Sequence, residues 1–221
     1  MSSLSKSRWA PNSRASPERA KNLLTPTDEL SRFMKIVARL RWKLPFLAEA
    51  YRLATLPVDQ GFDVAEAEIM FKLDFHEYYA LLERALVHLL GVFGISVSAA
   101  SKDPGWAGSH RYHANVLDAV EAKTSPLRSV LGSGDRYRQL KRAKELRNRW
   151  KTADLSPDEK PVMPLESYDL DRILAGVFDG LEDGYHLAEA HASQHDTSGT
   201  RSRDPDRNWD FIVDAMDWEA V

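Results

Sequence analysis

The sequence predicts an all-α protein: a helical bundle of about four to seven helices with a flexible arm at each end. Three observations point there. Apolar residues recur at steps of three and four through several long segments, the pitch of a helix with one buried face. The one stretch that alternates like a strand, Ile95-Ser96-Val97-Ser98, is too short to build a sheet. The composition is that of a globular chain, with 43% apolar and 29% charged residues in 221. Residues 1–24 read as an N-terminal arm, 25–190 as the bundle domain, and 191–221 as a polar linker leading into an acidic, aromatic C-terminal segment.

The first helix opens at Thr25-Pro26-Thr27-Asp28-Glu29. Thr27 can cap it, and Asp28 and Glu29 suit its positive end. Leu30, Phe33, Val37, Leu40, Leu44, Leu47 and Tyr51 form its inner stripe. Pro45 falls inside that stripe, so it either kinks one long helix or opens a second one. Arg32, Lys35, Arg39, Arg41 and Lys43 make the remaining surface basic. Asp63 caps a second helix over residues 64–93, whose stripe runs Phe71, Phe75, Tyr78, Leu82, Ala85, Leu89 and Val92. Additional apolar residues around it predict a central position.

Residues 99–109 form a loop that holds Trp106. Ser109 then caps a short helix that buries Tyr112, Val116, Leu117 and Val120. Ser125-Pro126 opens a further helical turn through Leu131, and Gly132-Ser133-Gly134 breaks it. The helix over 136–153 carries a narrow stripe of Leu140, Ala143, Leu146 and Trp150 in a strongly basic surround. A Pro-containing linker follows, then a helix over 168–190. Gly176, Gly180 and Gly184 argue against that last helix being continuous.

Charge is unevenly spread. Residues 155–221 hold 16 acidic and 5 basic side chains, whereas residues 102–154 hold 12 basic and 6 acidic ones. The basic blocks either attract nucleic acid or hold the chain's own acidic C-terminal third. No Cys is present, which excludes disulfides and thiol chemistry. No apolar run approaches the roughly 20 residues of a membrane span, and no secretory leader is visible. A cytoplasmic or nuclear location is expected, with no membrane association.

No complete catalytic set emerges, so no catalytic residue is assigned and a non-enzyme is expected. His110 and His113, or His191 and His195, have helical spacing for a shared metal. No third ligand is fixed beside either pair, so neither a metal nor a cofactor is expected. The carboxylates at Asp169 and Asp171, and at Asp179, Glu182 and Asp183, read as the wet face of a helix.

Two binding readings remain. Trp9 in the N-terminal arm, and Trp209, Phe211, Ile212, Met216 and Trp218 at the other end, are candidate anchors for a protein partner. Each of these segments could instead pack on the protein's own bundle. The alternative is nucleic acid lying along Arg138, Lys141, Arg142, Lys144, Arg147, Asn148, Arg149 and Lys151, with Tyr137 and Trp150 available to stack.

Within that basic helix, Glu145-Leu146-Arg147-Asn148-Arg149-Trp150 resembles the signature helix of HEPN domains. The resemblance implies a helical bundle, often a homodimer, that cleaves RNA without metal or serves as a non-catalytic partner. Arg147 and Asn148 match the motif's Arg and polar positions. Its His, four to six residues on, is absent: those spacings land on Thr152, Ala153 and Asp154. The expected function is therefore a non-catalytic interaction or scaffold protein, with a HEPN-like RNA-binding or RNA-cleaving module as the alternative.

Overall fold

A computed structural model describes residues 24–55, 63–97, 110–151, 153 and 163–196, and the side chains of 110–115 and 196 are not described. Among the described residues the protein is all helical, with five α-helices and two short 3₁₀ turns: α1 Pro26–Thr55, α2 Val64–Val92, α3 His110–Glu121, a turn at Pro126–Ser129, α4 Gly134–Trp150, a turn at Leu165–Ser167, and α5 Leu170–Asp196. Trp9, Trp106, Ser109 and the candidate anchors from Trp209 to Trp218 lie outside the described residues.

Local chemistry sets most of the ends. Thr25, rather than Thr27, caps α1. Its Oγ1 accepts from the Asp28 N–H at 3.1 Å, while its own N–H donates to Asp28 Oδ2 at 3.4 Å. That reciprocal pair is a capping box, with Pro26 pre-set at the first helical position. Asp63 caps α2 by accepting from Ala65 N–H at 2.9 Å. The far end of α2 closes in a Schellman motif: Gly94 N–H donates to Gly91 O at 2.9 Å and Ile95 N–H to Leu90 O at 3.1 Å. Gly94 takes φ +73°, which costs a glycine little. Ile95 is thus the residue that seals a helix end against the core, which explains its local strand-like look.

Pro45 does not divide α1, which runs through it. The proline withholds an N–H from the Arg41 carbonyl. Both residues are exposed, so water can satisfy that carbonyl.

The three glycines of α5 also fail to break it. They form one row facing the neighbouring elements. A Cβ on Gly176 would lie 2.9 Å from Gln139 Cγ, on Gly180 2.4 Å from Leu131 Cδ2, and on Gly184 2.9 Å from Leu89 Cδ2. The row lets α5 lie close against α4, the Pro126 turn and α2, at the expense of helix propensity. The helix continues to Asp196, past the boundary expected near 190. Ala192 is buried and the His191 ring packs 5.0 Å from Phe93.

The four long helices alternate in direction. Glu29 at the start of α1 meets His88 near the end of α2 at 2.7 Å, and Tyr51 meets Phe71 at the opposite end with ring centroids 5.4 Å apart. Trp150 at the end of α4 packs on Phe71 and Phe75 at 5.7 and 5.1 Å, and on Tyr168 at 5.7 Å. One core joins all the helices, with Phe33, Leu40, Phe75, Leu86, Leu89 and Leu140 almost wholly excluded from water. As the stripe pattern predicts, α2 is the central helix. It alone contributes eleven buried residues, and it packs against α1, α3, α4 and α5.

Candidate functional site

The basic helix α4 is more deeply embedded than its composition suggests. Tyr137, Gln139, Leu140, Ala143, Leu146, Arg147 and Trp150 are all buried. Tyr137 donates to Glu121 Oε2 at 2.7 Å. Trp150 stands edge-on to the rings around it. Neither ring presents a free face for a nucleobase.

Arg147, with 7% exposure, sits inside the bundle rather than on its basic surface. Its guanidinium donates to Asn148 Oδ1 at 3.0 Å. Close by lie Glu83, 2% exposed, and Tyr79. Burial holds the Tyr79 phenol well above its ordinary range, the Glu83 charge raises it further, and Arg147 opposes them. The three residues form an internal polar cluster between α2 and α4. The motif that resembles a HEPN signature thus places its Arg in the interior, beside the Tyr79 phenol.

On the outside of α4 the remaining basic groups are largely engaged within the protein. Arg136 pairs with Asp183, and Arg138 reaches Asp135 at 2.8 Å. Arg149 donates to the Tyr168 hydroxyl and stacks over that ring. Lys141 lies 4.7 Å from the centre of the Tyr137 ring. Lys141, Arg142, Asn148 and Lys151 are exposed, Lys144 is half-buried, and Glu145 stands among them. The expected row of nucleic-acid contacts is therefore split. Arg147 is internal, and the others form a surface already interwoven with acids and rings.

The feature that sequence reasoning missed lies on α1. Trp42 is 73% exposed and Phe46 64%, with ring centroids 6.2 Å apart and planes tilted by 48°. They stand one helical turn apart, opposite the stripe of Phe33, Val37, Leu40 and Leu47 that enters the core. Arg39 and Lys35 share their face and Arg41 is also exposed. Between Glu29 and Glu49 the sequence has five basic residues and no acid. The available signal was an apolar pair four residues apart on the wrong side of an otherwise legible stripe.

Beside the two rings a groove of about 340 Å³ opens between α1 and α2, lined by Arg39, Trp42, Lys43, Phe46, Leu47, Asp74 and Tyr78. Lys43 approaches Glu77 at 4.0 Å. Burial raises the Asp74 carboxyl and Glu77 adds to that, against Lys43. Burial also pushes the Tyr78 phenol up, so it keeps its proton. The Tyr78 hydroxyl has no hydrogen-bond partner among the described residues, although it is shut off from solvent. The exposed aromatic pair thus stands beside a groove whose floor holds Asp74 and Tyr78.

His191 and His195 lie ring to ring at 4.8 Å. Among the described residues no group of three or more His, Cys, Asp or Glu could hold a metal ion. Nor is any helix there long and apolar enough to cross a membrane. No protein-family model, curated protein or solved structure matches the chain.

Proposed function

We propose that the protein is a helical interaction module whose principal docking face is the outer strip of α1. The observation that carries this is the exposure of Trp42 and Phe46, side by side, on a basic surface next to the α1–α2 groove. Two large rings held in water on a rigid helix offer anchor area at small entropic cost. The cations around them select the partner. An amphipathic helix bearing both acids and aromatic or aliphatic anchors would bury its apolar side on the rings and pair its acids with Arg39 and Arg41. No bond-making chemistry is required of the bundle.

Contact with RNA along α4, in the manner of a HEPN-like module, is the weaker reading. Arg147 is buried and bonded to Asn148, and Tyr137 and Trp150 are packed away.

A photo-crosslinking amino acid at position 38, on the exposed face of α1 beside Arg39, tests the proposal in cells that make the full chain. The expected adducts are peptides rich in Asp or Glu and aromatic residues, and they disappear when Trp42 and Phe46 are changed to Ala. Adducts that persist in the double variant, or that consist of nucleic acid, would overturn it.

A further inference from the structure

We infer that the occupant of the α1 strip is the protein's own C-terminal segment, residues 209–221, folded back onto Trp42, Phe46 and the adjoining groove as a built-in competitor for outside partners. This rests on the docking role proposed above and adds its regulation.

The segment has the required chemistry. From residue 208 onward it carries four acids and no basic residue. Wound as a helix, Trp209, Ile212 and Met216 share one side, with Phe211 and Trp218 on the neighbouring side and Asp210, Asp214 and Asp217 around them. No other stretch outside the described residues combines acids with several aromatic anchors. The N-terminal arm has Trp9 but five basic residues against one acid, so α1 would repel it. The stretch 98–109 has Trp106 and no net charge, and 154–162 has acids but no aromatic residue.

The geometry permits the reach. Tyr185 of α5 borders a hollow with Leu30, Ser31 and Met34 of α1, so the two helices run side by side there. From Tyr185 on to Asp196, and from Leu30 back to Trp42, the two axial distances together come to about 35 Å. The intervening residues 197–208 span up to about 43 Å when extended.

The other basic surface does not compete well. On α4 the cations are mostly paired within the protein, and none of the exposed large apolar side chains among the described residues belongs to α4. On α1 the exposed cations flank Met34, Trp42 and Phe46. A tail that alternates acids with rings needs both partners, and α1 supplies both.

The absence of native Cys makes a direct test clean. In the full chain, Arg39→Cys is combined with Asp210→Cys, and the rate of disulfide formation is followed in dilute protein under mild oxidant. A second full chain carries Arg142→Cys with Asp210→Cys. The expected result is a monomeric, internally linked product from the first pair, forming at least tenfold faster than from the second. Adding Trp42→Ala and Phe46→Ala to the first pair should slow it to the rate of the second. Equal rates for the two pairs, a rate indifferent to Trp42 and Phe46, or a linked dimer as the main product would overturn the inference; the dimer would mean that a second copy supplies the tail. If the disulfide fails while the photo-adducts at position 38 still come from an acidic aromatic helix of another protein, only the self-docking falls. If both fail, the docking face falls too.

Discussion

Gly132 lies against the last turn of α3 so closely that a Cβ placed on it would come within 2.3 Å of the Val120 carbonyl oxygen and 2.8 Å of Arg128 Cα. Both are backbone atoms, which cannot swing aside as a side-chain tip can. Gly132→Ala should therefore cost about 2–3 kcal/mol, the upper part of the overpacking range, and lower Tm by roughly 5–10 °C. Gly91→Ala is the contrast. Its Cβ would meet only the Glu29 carboxylate at 2.8 Å, the end of a flexible side chain. It should shift Tm far less while displacing Glu29 from His88. Thermal melts of the two variants check this; equal losses would refute the backbone contact.

Arg147→Ala removes the cation buried beside Glu83 and Tyr79. Removing a cation from a buried polar cluster in this way costs about 3–5 kcal/mol. Urea denaturation should show that loss, and Arg147→Ala combined with Glu83→Gln should recover part of it. For the same reason Arg147 is a poor probe of RNA affinity, since its loss weakens the whole bundle. Arg142→Ala, at an exposed site, should leave stability within about 0.5 kcal/mol and reports cleanly on any nucleic-acid contact.

Tyr78, Tyr79 and Tyr137 all have phenols raised above the ordinary value near 10, in each case chiefly by burial, with Glu83 adding at Tyr79 and Glu121 at Tyr137. Because the folded state keeps these protons longer than the unfolded chain does, their contribution is fully present below the unfolded pKa and is lost as pH climbs beyond it. Stability should be insensitive to these groups at neutral pH and decline from about pH 10 upward. In an absorbance titration of tyrosinate, the three buried rings should stay protonated until the protein unfolds, and then ionise together. Smooth ionisation of all seven tyrosines near 10 in folded protein would contradict their burial.

Much of the architecture was legible in the residues. The stripe from Phe33 to Leu47 and that from Phe71 to Val92 mark the buried faces of α1 and α2, because burial acts on every turn and leaves a periodic trace. What escaped was what depends on the neighbouring element. Gly176, Gly180 and Gly184 look like helix breakers along the chain, and only the proximity of Gln139, Leu131 and Leu89 shows them to be close-packing positions. Arg147 looks like one more surface cation until Tyr79, 68 residues earlier on α2, is placed beside it in the interior. Trp42 and Phe46 were visible as apolar residues, but the sequence does not say that no described element covers them. The α1 strip was therefore hidden behind the more obvious basic run of α4.

Docking of an acidic, aromatic helix on that strip is most directly measured by calorimetric titration. A synthetic peptide of residues 205–221 is added to the full chain carrying Trp209→Ala and Trp218→Ala, so that its own tail no longer competes. Saturable one-to-one binding is expected. Adding Trp42→Ala should weaken it by about thirtyfold, which is roughly 2 kcal/mol for the loss of an interface anchor, with folding stability changed by only about 0.5 kcal/mol at so exposed a site. No measurable heat of binding, or an affinity unchanged by Trp42→Ala, would contradict docking of the tail on that face.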